Sequence, residues 1–223
     1  MTTRAQRNIN WIQDNLRIPD GKFIGQPFML MPEQKDYIVR IYDNPEKTRM
    51  GIKSMARKNG KTAESAALLM LHFIGPESKQ NAQQYSAART RDQAGLVYDC
   101  ARKIIEMNEE FKSLIRLVSS QKKMRCPMRG TEFKALSADA PGAMGLNPAF
   151  VIHDELGQVR GQVDKFYDAI ESAMGAQEEP LSLIISTQAE SDEDLLSILI
   201  DDGLAGHDPV SYTHLTLPTK RIV

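Results

Sequence analysis

Two short stretches of this chain carry residue types that could do chemistry together. Met55-Ala-Arg-Lys-Asn-Gly-Lys-Thr62 closes on a glycine, a lysine and a hydroxyl residue. In that order Gly60 lets the backbone approach an anion closely, Lys61 can reach the outer phosphates of a nucleotide, and the Thr62 hydroxyl can ligate Mg2+. Met55 stands where such a loop usually has its first glycine. The second stretch, Ala149-Phe-Val-Ile-His-Asp-Glu155, is an apolar run that ends in two adjacent carboxylates. A buried strand delivers an acid to the carboxyl edge of a parallel sheet in this way; Asp154 could then hold a metal and Glu155 could polarise a water for attack on a γ-phosphate. Taken singly, each stretch also fits a plain alternative: a helix N-terminus with an incidental lysine, and a strand end with two solvated acids. As a pair set in a strand–helix pattern, they point to a nucleotide site.

The surrounding pattern supplies the elements that would position them. Residues 50–55 read as a buried strand entering the loop, and Ala63-Glu-Ser-Ala-Ala-Leu-Leu-Met-Leu71 as a strong helix former leaving it. A helix that starts at the loop aims its free N–H groups and positive dipole end at the anion. Upstream, residues 6–17 suit an amphipathic helix, broken by Pro19-Asp-Gly21, and Pro32 suits the first turn of a second helix running to about Tyr42. Downstream the spacing predicts a strand at 82–88, a helix at 90–107, a short helix from Phe111 to Leu117, and a hairpin over 124–136 turning at Arg129-Gly130. A turn-rich loop at 138–148 precedes the acidic strand; a helix at 163–174, a strand at 180–187 and a last helix from Asp194 follow it. The expected fold is α/β, with a mostly parallel central sheet flanked by helices on both faces.

A chain of 223 residues with 41% hydrophobic and 26% charged residues can build one large α/β domain with appendages. No apolar run approaches a bilayer-spanning length, and the N-terminus lacks the apolar core of a secretory signal, so no membrane role is expected. Cys100 and Cys126 are isolated, which favours a reducing compartment over a disulfide framework. His153, on the acidic strand, reads as a packed or hydrogen-bonded residue. The formal charge of −1 conceals a polarity: Lys122, Lys123, Arg125, Arg129 and Lys134 crowd one segment, whereas Phe166 to Thr219 contains no Lys or Arg. Such a distribution fits two solvated faces, or a basic edge that meets nucleic acid.

In order along the chain, Ala56-Arg-Lys-Asn-Gly-Lys-Thr62, Ser86-Ala-Ala-Arg-Thr-Arg-Asp-Gln-Ala94, Leu136-Ser-Ala-Asp139, Gly145-Leu-Asn-Pro148, Val151-Ile-His-Asp-Glu-Leu156 and Ile184-Ile-Ser-Thr187 resemble the ATPase half of the large terminase subunit of tailed bacteriophages. The resemblance covers about residues 20–205, and that family's phosphate loop commonly lacks the first glycine. It implies a P-loop NTPase fold and a Mg2+-dependent ATP hydrolase that drives double-stranded DNA into a capsid. The implied setting is a homo-oligomeric ring, in contact with the portal protein and the small terminase subunit, in the host cytoplasm and transiently at the capsid portal. Residue by residue, it implies that Lys58, Asn59, Gly60, Lys61 and Thr62 bind nucleotide and that Thr62 and Asp154 hold Mg2+. Glu155 and Arg57 would be catalytic, Arg57 as a cation on the γ-phosphate from the same chain. Ser186-Thr187-Gln188 would couple hydrolysis to movement, and Gln34 would read adenine. Arg89 and Arg91 could touch phosphate, DNA or a neighbouring subunit, and Arg125 and Arg129 are further candidates for an arginine finger acting in trans, with a surface role the plainest reading of each. Another nucleic-acid-dependent ATPase such as a helicase, and a nucleotide-binding fragment without turnover, remain the alternatives.

The expected organisation is a helical segment at 1–45 packed on an ATPase core at 46–208. Residues 209–223, rich in threonine and continuing no earlier pattern, resemble the translated read-through of a sequencing adapter and are expected to lie outside the native fold. The nuclease domain that follows the ATPase in that family is not expected within these 223 residues.

Overall fold

A computed structural model describes residues 2–56, 60–138, 145–206 and 209–215. Its centre is an eight-stranded sheet of order β3-β4-β5-β2-β6-β7-β1-β8. The strands are β1 (Met50–Ser54), β2 (Gln83–Ala88), β3 (Arg116–Val118), β4 (Lys123–Cys126), β5 (Thr131–Ser137), β6 (Pro148–Asp154), β7 (Leu181–Ser186) and β8 (Ser211–Leu215). From β5 to β8 every pairing is parallel; only β3–β4 and β4–β5 are antiparallel. The hairpin turns where expected, with Gly130 at φ +66°, a left-handed conformation that suits glycine.

Successive residues of β6 show how the sheet acquires two buried faces. Phe150 and Ile152 point into the larger core, together with α1 (Arg4–Asn15), α2 (Pro32–Tyr42), α3 (Lys61–Phe73) and α4 (Arg91–Glu106). Val151 points the other way, against Ile170 and Met174 of α6 (Lys165–Met174), while Ile52 and Ile184 meet Leu196 and Ile200 of α7 (Leu195–Ala205) on that same side. Strands buried on both faces read as continuous apolar runs, which is why β6 and β7 are legible as core strands. α3 is buried from Glu64 to Phe73, as a helix wedged between sheet and neighbouring helices must be. The N-terminal helices join this core: Ile9 and Ile12 are buried, and Trp11 stacks on Phe111 of α5 (Glu109–Leu114) with ring centres 6.2 Å apart.

Two expectations change. The short helix read as reaching Leu117 ends at Leu114; Ile115 is already extended, and residues 116–118 pair with β4 instead. Apolar residues at 111, 114, 115 and 117 satisfy a helical spacing, but the strand partner lies outside any local window. At the other end, residues 211–215, which the pattern leaves outside the fold, run parallel to β1 as an edge strand. No helix among the described residues is long and apolar enough to cross a membrane.

Candidate active site

The sheet register brings three strand ends to one rim. Ser54 of β1 pairs with Ser186 of β7, and Asp154 of β6 pairs with Ile185. The phosphate-loop stretch, the paired acids and the Ser186-Thr187-Gln188 triplet therefore leave the sheet side by side, at the carboxyl edge where open α/β folds bind ligands. Gly60 precedes α3 at φ +74°, with Lys61 as the helix's first residue. Arg57, Lys58 and Asn59 lie outside the described residues.

The Lys61 Nζ lies 2.6 Å from Oε1 of Glu155, both side chains being largely buried. The other oxygen of Glu155 accepts from the Thr187 hydroxyl at 2.9 Å and from the Thr187 backbone N–H at 3.2 Å. Burial alone would raise the Glu155 carboxyl; the Lys61 ammonium and the Thr187 donors outweigh it and hold the group below its ordinary value. Its backbone is left-handed, φ +57°, an uncommon conformation for a side chain of this kind. The bend turns the chain out of β6 while the Glu155 N–H still pairs with the Ile185 carbonyl at 3.0 Å.

Asp154 behaves in the opposite sense. Burial and then the neighbouring Glu155 charge push its carboxyl up to about 6, with Lys61 and the Glu155 N–H offsetting only part of this. Among the described residues no cluster of three or more His, Cys, Asp or Glu side chains could hold a metal. One raised carboxylate is a poor protein cage for Mg2+ and could supply only a share of its shell. That ion keeps several waters and takes its remaining oxygens from phosphates.

The remaining candidates divide. The Ser186 hydroxyl accepts from the Gly157 N–H at 2.9 Å, a bracing bond, while Gln188 is exposed. Gln34 is buried; its Oε1 accepts from the Met31 N–H at 2.9 Å and its Nε2 donates to Glu64 at 3.3 Å. His153 is hydrogen-bonded to Glu171 at 2.8 Å, as its position in a core strand suggests. Arg89 donates to the Gln158 carbonyl at 3.1 Å, Arg91 to the Ser120 carbonyl at 2.8 Å, and Arg125 pairs with Glu132 at 2.5 Å. Arg129, in the turn before β5, contributes its backbone to the turn. Gly157, passed over in the sequence, belongs to the site: a Cβ there would meet the Thr187 carbonyl at 2.5 Å. A glycine soon after paired acids is its only sequence signal.

Residues 37–200 match the family described as terminase large subunit, ATPase domain. The chain belongs to that family. The large terminase subunit of Enterobacteria phage HK97 is 46% identical over 213 residues, which cover 96% of this chain and 42% of the relative. The crystal structure of the HK97 large terminase superposes with a TM-score of 0.91 at 44% identity, over 99% of this chain and 45% of that one. More distant structures share the fold. The ATPase domain of the Thermus phage P74-26 large terminase has a TM-score of 0.65 at 18% identity, covering 88% of this chain and 85% of that one. The large terminase of a thermophilic bacteriophage in complex with ADP has a TM-score of 0.58 at 11% identity, covering 83% and 45%. This terminase ATPase domain thus spans less than half the length of its HK97 relative. Its Lys61–Glu155–Thr187 chain lies on the rim where β1, β6 and β7 end.

Proposed function

We propose that this terminase ATPase domain hydrolyses ATP with Mg2+ and that turnover drives double-stranded DNA into a capsid. The observation that carries the reading is the convergence of Lys61, Glu155 and Thr187 beside the half-buried Asp154. In this scheme Lys61 exchanges the Glu155 carboxylate for γ-phosphate oxygens, while the first-turn amides of α3 face the same anion. The freed Oε1 of Glu155 then accepts a hydrogen from the attacking water, and Oε2 stays on Thr187, so the base keeps its orientation. Asp154 and the Thr62 hydroxyl would hold Mg2+, which would supply positive charge against the negative charge that develops during phosphoryl transfer.

Arg57 adds a cation at the γ-phosphate; Lys58, Asn59 and Gly60 line the phosphates; Gln34, whose amide is bonded to Met31 and Glu64, would read adenine only by exchanging one of those partners. Thr187, with Ser186 and Gln188, relays the state of Glu155 to β7. The working assembly is a homo-oligomeric ring that meets the portal protein and the small terminase subunit, in the host cytoplasm and transiently at the capsid portal. The test is ATP turnover by the chain beside Lys61→Ala and Glu155→Gln. Loss of turnover in both variants is expected; equal turnover in all three proteins overturns the proposal.

A further inference from the structure

β1 carries a lysine with no exposed side-chain surface. Lys53 stands just before the phosphate-loop stretch, and its Nζ lies 2.6 and 2.8 Å from the two oxygens of Glu64. Glu64 is equally buried and sits in the first turn of α3, just past the far end of that stretch. α2 completes the arrangement: the Lys53 ammonium is 4.8 Å from the centre of the Tyr37 ring, and Gln34 donates to Glu64 at 3.3 Å. One ion pair therefore ties the strand that enters the phosphate loop to the helix that leaves it.

Stability does not account for such a pair. Two charges withdrawn from water lose their hydration, and apolar residues of similar volume commonly serve a core as well or better. What an apolar contact does not supply is register. Methyl groups tolerate sliding, whereas two short hydrogen bonds from one ammonium to both carboxylate oxygens fix distance and direction. Glu64 lies one helical turn from Lys61, so fixing Glu64 against β1 also fixes the rotation of α3 that aims Lys61 and the first-turn amides. We propose that Lys53 and Glu64 are positioning residues for nucleotide binding, locking the first turn of α3 to β1 so that the phosphate site is formed before the nucleotide arrives. The nucleotide part of this inference rests on the ATPase reading above; the locking of α3 does not.

The test uses the full 223-residue chain with Lys53→Met and Glu64→Leu combined, which removes both charges and keeps the volume. Three quantities are read: the thermal midpoint, hydrogen exchange of residues 60–66 without nucleotide, and ATP affinity by calorimetry with Mg2+. The expected result is an unchanged or higher midpoint, faster exchange confined to 60–66, and ATP bound about tenfold more weakly or worse. Unchanged exchange in that segment overturns the inference, as does ATP affinity equal to that of the parent. A lowered midpoint with parental affinity would assign the pair a structural role alone and also overturns it. Should the double variant not fold, Glu64→Gln, which keeps the shape and removes one charge, is judged by the same exchange and affinity criteria. Lys61→Ala is the control for the functional reading. If the parent binds no ATP, the ATPase proposal falls, while exchange at 60–66 still decides the locking of α3.

Discussion

Glu155 has one carboxylate and two commitments. Oε1 is held by Lys61, a partner that the phosphates would claim, and Oε2 is held by Thr187, a partner that the phosphates leave in place. Under the proposed scheme the first bond breaks for turnover, and the second persists so that Glu155 remains aimed. Thr187→Val keeps the volume and the backbone N–H but removes the hydroxyl. A hydrogen bond to a charged group contributes roughly 1.5–3 kcal/mol, so turnover should fall about ten- to a hundredfold with ATP affinity little changed. A parallel loss of affinity, or none in turnover, would mean that Thr187 does not orient the base. Much of this site is legible in the sequence because its members sit in contiguous runs: Gly60-Lys61-Thr62, Asp154-Glu155 and Ser186-Thr187. Lys53 and Glu64 are not legible. A lysine inside a strand reads as a solvent-facing residue, and nothing local announces that a helix will bury it against an acid. Gln34 escapes in the same way, since an amide on a helix does not reveal that both its ends are already bonded inside the core.

Among the elements, the turn after the acids transmits position from one strand to the next. Leu156–Gln158 form a single 3-10 turn whose middle residue, Gly157, donates to Ser186 and leaves no room for a side chain. A Cβ would lie 2.5 Å from the Thr187 carbonyl, 2.9 Å from the Ser186 hydroxyl and 3.0 Å from Leu196, and the first of these is backbone that cannot rotate away. Gly157→Ala should therefore cost roughly 1–3 kcal/mol, read as a lower urea midpoint at unchanged slope, and should reduce turnover by shifting Thr187 off Glu155. Parental midpoint and turnover together would show that the β6–β7 rim is looser than its contacts imply. The alternation of core strands and helices is legible because each strand is buried on both faces and each helix carries its own start signal, such as Thr90 before α4 and Asp164 before α6. Elements that depend on a distant partner are not: β3 exists through β4, and β8 through β1.

At the scale of the whole molecule, the sheet separates the Lys61–Glu155 rim from an opposite end where α1 and α2 close over the strand starts. That closure buries His72 near the end of α3, its ring stacked on Phe150 at 4.0 Å between centres and its Nε2 2.7 Å from the Tyr42 hydroxyl. Burial pulls the imidazole down to about 3; Glu77 works against that shift, and Arg4 and Lys79 reinforce it. The folded protein therefore binds fewer protons at this residue than the unfolded chain does, wherever the pH lies between about 6.5 and 3. Stability from His72 is complete above about pH 6.5 and is lost as the pH falls through that window, at up to about 1.4 kcal/mol per pH unit. Between about pH 6.5 and 5 most carboxylates have yet to titrate; Asp154, raised to about 6, is the exception, and its contribution is common to parent and variant. His214 is also held below its ordinary value, by burial first and by Lys53 second, and slopes in the same direction. It faces Asp36, Glu64 and Glu33 rather than the surroundings of His72, so its contribution should be common to parent and variant. Urea unfolding at about pH 6.5 and 5 should show the parent losing about 2 kcal/mol more than His72→Gln over that interval, whatever constant cost the lost stacking imposes on the variant. Equal losses would mean that the imidazole is hydrated or already charged in the folded state, and that the N-terminal helices do not seal this end of the sheet.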